Sequence, residues 1–203
     1  MNTYHHGDLK NALIHAGIEI LSIYGIKGLS LRRVAKRAGV SHAAPYAHFT
    51  DKQALIAAIS TEGYKRLYSQ LTQINQEYCN NPLKKLVEVA WCYLQFAVND
   101  PAHFKITFSG VIEKEKDYPA FVEISQKSFA FITEIVAECQ ATGILPSDPS
   151  DLIAVHLWGS IHGLATLIIE DQLSSPVLEN YPLRKILIST INLMTEAEFD
   201  PNF

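Results

Sequence analysis

The chain has 203 residues, 48% of them apolar and 19% charged, and a formal net charge of −4. So large an apolar fraction fills a core and excludes a disordered or collagen-like chain. Three widely spaced cysteines, Cys79, Cys92 and Cys139, exclude a disulfide framework or cysteine zinc site and fit buried thiols in a reducing compartment.

Charge is unevenly placed. Residues 1–50 carry six Lys/Arg against Asp8 and Glu19, while the remainder carries 11 against 19. A basic head on an acidic body turns only the head toward a polyanion, unless the charges are simply a solvated helix face. The opening MNTYHHGDLK is too polar for a signal peptide. Helical periodicity then recurs with no convincing strand series, so the expected fold class is all-α. About nine helices are expected near 7–24, 31–38, 42–48, 51–78, 82–98, 101–109, 119–141, 149–171 and 183–196. A domain boundary is expected near residue 50, dividing residues 1–50 from 51–203.

Gly25 and Gly28 close the first helix. Ser30 can cap a second one that carries Leu31, Val34, Ala35 and Ala38 inward and Arg32, Arg33, Lys36 and Arg37 largely outward. Gly39 makes a turn, Val40 plugs the space beside it, and Ser41 is placed to cap a third helix. That plan is a helix-turn-helix. Pro45 is the anomaly, because proline inside a helix costs about 3 kcal/mol. Counted from Ser41 it is the fourth helical residue, so only a bond to the cap carbonyl is lost. Its ring stiffens a helix too short to hold alone. Phe49 belongs in the core.

GLSLRRVAKRAGVSHAAPYAHFTDKQAL resembles the DNA-binding domain of TetR-family transcriptional regulators, through Ala35, Ala38, Gly39, Val40, Ser41, Tyr46, His48, Phe49, Lys52 and Leu55. The resemblance covers residues 7–55, with Ala44 and Pro45 departing from it. It implies that Ser41, His42, Ala43 and Ala44 face base edges in the major groove. Tyr46, His48 and Lys52 would hold phosphates, with Arg32 on the backbone or a base. The chemistry agrees: hydroxyl, imidazole and ammonium donors suit phosphate oxygens, and small side chains let the backbone approach the bases. Alternatives remain open. Tyr46 can pack against the first helix, Lys36 and Arg37 can be plain solvated charge, and His5 and His6 can be a DNA-touching arm or take no part.

Downstream, Asn or Asp shortly before Pro recurs (Asn81-Pro82, Asp100-Pro101, Asp148-Pro149), a pairing that caps a helix and seats proline in its first turn. Residues 113–117 form a charged connection, and Gly143 suits a left-handed cap. The 18 residues Leu152–Ile169 carry no formal charge, but His156, Ser160, His162 and Thr166 favour a buried core helix over a membrane span. NDPAHFKITFSG and LWGSIHGLATL resemble the effector domain of the TetR subgroup named for a Trp-His-Gly signature, here Trp158, His162 and Gly163. Trp158 and His162 share a helix face. Either they are tight core, or they wall a pocket where an indole and a pH-sensitive donor orient a ligand. Trp91, Phe96, Phe104, Phe108, Phe121 and Phe129 supply further aromatic lining, some of it ordinary core, for a hydrophobic or aromatic effector.

The last helix carries Leu183, Ile186, Leu187, Ile191 and Met194 on one stripe, with Ile188 and Leu193 on another side. Such a helix asks for cover beyond its own subunit. With 149–171, where Gly159 and Gly163 admit a close backbone, it is expected to form a homodimer seam, as the resemblance also implies. The resemblance thus implies a cytoplasmic, ligand-responsive regulator, usually a repressor, that binds a palindromic DNA operator as a homodimer and is released by a small hydrophobic effector. The alternative is a DNA-bound protein of the same fold acting through a protein partner without an effector. No catalytic constellation, metal-ligand cluster or phosphate-cradling glycine loop is visible, so no enzyme activity, cofactor or metal is expected.

Overall fold

The computed structural model of the chain describes residues 6–195, and these form helices and turns without a strand. In order they are α1 (His6–Gly28), α2 (Leu31–Arg37), a 3₁₀ turn (Ala44–Ala47), α3 (Lys52–Glu77), α4 (Pro82–Asn99) and α5 (Pro101–Phe108). A second 3₁₀ turn (Glu115–Asp117), α6 (Pro119–Ala141), α7 (Ser150–Ile169), α8 (Ser175–Asn180) and α9 (Leu183–Asn192) follow. The all-α expectation holds. His5 lies outside the described residues, as does the side chain of His6.

Helix ends follow local chemistry. Gly25 breaks α1 just before its last turn with φ 62° and ψ −173°, and Gly39 and Gly143 take left-handed φ of 69° and 72° past α2 and α6. Asn81 Oδ1 accepts the Lys84 N–H at 3.0 Å, and Asp100 Oδ1 accepts that of His103 at 3.3 Å. Asp148 does not cap; α7 opens after Pro149 with no side-chain cap. The six exposed residues of α8 gave no periodic signal.

The described chain divides into two compact units, residues 6–65 with 100–125 and residues 66–99 with 126–195. In the first, Leu13, Ile20, Leu29, Val34, Phe49, Leu55, Ile59 and Ile106 share one apolar core. His103 Nε2–H donates to the Ile59 carbonyl at 3.0 Å, and the Ser60 hydroxyl to that of Ile106 at 3.1 Å. These bonds bring α3 and α5 together at Gly63. A β-carbon there would lie 2.2 Å from Thr107 Oγ1 and 2.9 Å from His103 Nε2.

In the second unit α4 packs on α7 and α9, burying Leu86, Leu94, Ala154, Leu157, Ile161 and Ile188. Lys85 is also buried, and its ammonium meets Glu138 Oε2 at 2.5 Å, which offsets the cost of removing that charge from water. Two expected seam residues are corrected here. Leu187 and Ile191 are wholly covered by their own chain, so neither can touch a second copy. Periodicity marks an apolar stripe without saying which subunit covers it. Leu183, Ile186 and Met194 keep partial exposure, and Leu193 is 86% exposed.

α7 is buried on one side only. Ile153, Ala154, Leu157, Ile161, Leu164 and Ala165 face the core, whereas Leu152, Val155 and Leu167 are 52%, 47% and 39% exposed. Gly159 and Gly163 fall on the outer side, and a β-carbon at either would meet nothing within 4 Å. By length and composition alone this helix could cross a membrane, yet six of its 20 residues are buried in the core.

Gly63→Ala is expected to destabilise the first unit by about 2 kcal/mol, the overpacking cost exceeding alanine's gain in helix propensity. Urea unfolding checks this; an unchanged midpoint would mean that Thr107 and His103 step aside freely.

Candidate nucleic-acid interface and effector site

Ser30 caps α2 as its sequence suggested, its Oγ accepting the Arg33 N–H at 3.3 Å. The Arg33 guanidinium turns back, donating to the Gly28 carbonyl at 3.1 Å and lying 5.2 Å over the Tyr24 ring. Arg37 pairs with Glu19. These two arginines therefore brace the head, and Arg32 and Lys36 remain the exposed cations of α2 without such a brace.

The helix expected over 42–48 does not form. The Ala44 N–H bonds to the Ser41 carbonyl at 3.1 Å, Tyr46 to Ala43 at 3.1 Å and His48 to Pro45 at 3.0 Å, the three-residue spacing of a 3₁₀ turn. Ala43 is its cap residue and no side chain bonds there, so Ser41 is not an N-cap. Pro45 sits second in the turn, not fourth in a helix, where a fixed φ helps and a missing N–H costs nothing. Its ring is buried, Phe49 is 2% exposed, and the Phe49 N–H closes on the Pro45 carbonyl at 2.9 Å.

Outward from this anchor stand Ser41, His42 and Ala43, all exposed, with Ala44 half-buried and Tyr46 62% exposed. The Tyr46 ring is thus not packed away against α1. Two expected phosphate donors are placed differently. His48 Nε2 is buried with no hydrogen-bond partner, so that nitrogen is not offered to an outside anion. Lys52 is half-buried and its ammonium donates to the Ile26 carbonyl at 2.7 Å, tying α3 to the end of α1. Two of its three protons remain for other acceptors.

In the second unit, Trp158 Nε1–H donates to the Tyr93 hydroxyl at 3.1 Å, and that oxygen lies 2.8 Å from His162 Nδ1. The Phe129 ring meets Trp158 edge-on at 6.4 Å between centroids. Burial pushes the His162 imidazole below its ordinary pKa of 6.5. Tyr93 was missed in the sequence because nothing local pairs residue 93 with a helix some 65 residues on. Trp91 stands apart, its ring 5.5 Å beneath the Arg184 guanidinium, which holds Glu88 at 2.6 and 3.3 Å. Phe104 and Phe108 belong to the first unit, 5.0 Å from each other. Of the eight expected liners, the structure gathers Phe129, Trp158 and His162.

Burial pushes the Cys92 thiol up to about 11 and that of Cys139 up to about 12, keeping both protonated at neutral pH. Cys79 is exposed, not buried as expected. Among the described residues no cluster of three or more His, Cys, Asp or Glu is placed to hold a metal.

A short helix, a glycine turn and an anchored 3₁₀ turn that exposes small and donor side chains stand where a helix-turn-helix has its reading element, the plan of a DNA-binding regulator. Family models agree: that of bacterial regulatory proteins of the tetR family matches residues 13–59, and a tetracyclin repressor-like C-terminal domain matches residues 86–187. The chain belongs to the TetR family of DNA-binding transcriptional regulators. It is 41% identical over 51 residues to the Escherichia coli tetracycline repressor protein class C, a match covering 25% of this chain and 23% of that protein. The chain thus spans about a quarter of the length of the curated relatives it matches. A protein of unknown function from Rhodococcus sp. RHA1 superposes with a TM-score of 0.77 at 29% identity, covering 95% of this chain and 96% of that one. The fatty acid degradation regulator FadR from Bacillus halodurans shares the fold, with a TM-score of 0.72, 16% identity and 94% and 96% coverage. So does FadR from Bacillus subtilis in complex with stearoyl-CoA, with 0.71, 18%, 92% and 97%.

Because the folded chain holds His162 below 6.5, the unfolded chain binds more protons between that lowered value and 6.5. Stability is expected to fall as pH drops through this window and to be unaffected by His162 above it. Urea midpoints at about pH 7.5 and about pH 5 check this. His162→Gln should reduce the acid loss; an equal loss in both proteins would contradict it.

Proposed function

We propose that the chain is a ligand-responsive repressor that binds a palindromic operator as a homodimer and releases it when a small hydrophobic effector occupies the body. The observation that carries this reading is one chain holding both an exposed reading turn and a hydrogen-bonded Tyr93–Trp158–His162 set among aromatic rings. In this reading the functional division falls near residue 50, with 1–50 reading DNA in the cytoplasm and 51–203 sensing and pairing. Ser41, His42, Ala43 and Ala44 approach base edges, while Tyr46 and Arg32 bind phosphates, with Lys52 and His48 in supporting places. The outer side of α7, with Leu152, Val155, Gly159, Gly163 and Leu167, joins a second copy beside Leu183, Ile186 and Met194. A helix with no charge beyond Asp151, whose Leu152, Val155 and Leu167 stay exposed on the side its own unit leaves open, supports that pairing. Two copies set their reading turns about one DNA turn (~34–36 Å) apart.

Release requires an effector that prefers the non-binding arrangement, by about 5.5 kcal/mol for a complete reversal of populations. The Bacillus subtilis regulator's complex with stearoyl-CoA supports an apolar ligand in a body of this fold. A thermal-shift screen of apolar small molecules tests the sensing step. Saturable stabilisation by some member supports it; no ligand effect, with capture of a protein partner by the DNA-bound chain, supports the recruiting alternative.

Arg32→Ala is expected to weaken binding to every duplex and to lower the salt slope of log K by about 0.9, one phosphate contact. Tyr46→Phe should weaken binding with little change in slope, since a phenol carries no charge. Unchanged affinity in titrations would remove either residue from the interface. Val155→Glu is expected to yield a folded monomer in ultracentrifugation; an intact dimer would reject the α7 seam. Ile191→Glu, by contrast, should unfold the second unit because that side chain is core.

A further inference from the structure

We propose that Ala43 reads the 5-methyl group of a thymine in each operator half-site, so that the turn selects an A·T pair by apolar contact instead of a bidentate hydrogen bond. This rests on the regulator reading above and adds what the turn recognises. Residues 41–49 contain no Arg, Lys, Asn, Gln, Asp or Glu. Those are the side chains that grip a purine through two hydrogen bonds or accept from cytosine. The exposed residues of this stretch are Ser41, His42, Ala43, Tyr46 and Ala47. Ser41 and neutral His42 each donate a single hydrogen bond, which suits a purine acceptor without making a bidentate pair.

Ala43 is held where so short a side chain is useful. It is the cap residue of the 3₁₀ turn, with φ −81° and ψ −25°. Its carbonyl accepts the Tyr46 N–H at 3.1 Å, and the Ala44 N–H reaches back to the Ser41 carbonyl at 3.1 Å. Two residues on, the buried Pro45 seats the turn on the core. A methyl group on such a backbone has no rotamer freedom to lose on contact. It also lets the backbone come near the bases, where the thymine methyl projects into the major groove. Ala47, the other exposed alanine, is the competing candidate, and the test includes it.

Titration of the full chain against its consensus duplex, selected from a random pool, decides the matter, with deoxyuridine replacing each thymine of the half-site in turn. Deoxyuridine keeps every hydrogen-bonding group of thymidine and lacks only the methyl. At one position the exchange should cost about fourfold in affinity per half-site, the worth of one buried methyl. Ala43→Gly should be indifferent to deoxyuridine at that position, whereas Ala47→Gly should keep the full effect. Glycine also loosens the turn and weakens every duplex alike, so the readout is the vanished deoxyuridine effect and not the lost affinity. A consensus without thymine, or one indifferent to deoxyuridine throughout, overturns the proposal. So does an equal deoxyuridine loss in Ala43→Gly, which assigns the effect to DNA shape, or its disappearance in Ala47→Gly. All of these leave the regulator reading standing; selection of no duplex at all ends both.

Discussion

Burial of Phe49 beside Pro45 is the constraint on which the proposed DNA-reading surface depends. A four-residue 3₁₀ turn has little stability of its own, since its few backbone bonds do not offset the ordering of its residues. Its orientation must come from the core beneath. Phe49 shares that core with Leu31, Val34, Leu55 and Ile56, so the same burial that folds the first unit aims Ser41 through Tyr46 outward. Pro45 reduces the freedom that the turn must lose, and the Arg33 and Lys52 side chains fix the helix ends on either side.

The second unit is built on a different compromise. α4 covers one side of α7, and Leu187, Ile188 and Ile191 of α9 close against α4 and α7, leaving the outer side of α7 uncovered. Polar groups inside it come in bonded sets: Lys85 with Glu138, Arg184 with Glu88, and Tyr93 with Trp158 and His162. Each satisfied set tolerates burial that its members could not bear singly, and each also fixes geometry. Rigid polar placement in an apolar surround is what a selective ligand site requires.

Much of this was legible in the sequence because it is local. Ser30, Gly39, Asn81 and Asp100 act within a few residues of themselves, and their capping roles appear where spacing put them. The short segment at 42–48 misled because Ser41 looks like a cap, although the proline two residues into the turn favours tighter 3₁₀ spacing. Nonlocal facts were not legible. The apolar stripe of α9 reads the same whether Leu187 and Ile191 face their own core or another subunit. The pairing of Tyr93 with Trp158, and the return of Lys52 to the α1 end, join residues that no periodicity connects.

The central claim is that two copies of this anchored turn read one duplex together. Selection of bound duplexes from a random pool by the full chain tests it most directly. A two-fold symmetric consensus with half-site centres about one helical turn (~34–36 Å) apart is the expected result. Enrichment of no sequence over a scrambled competitor, or of a single unsymmetrical half-site, would contradict it.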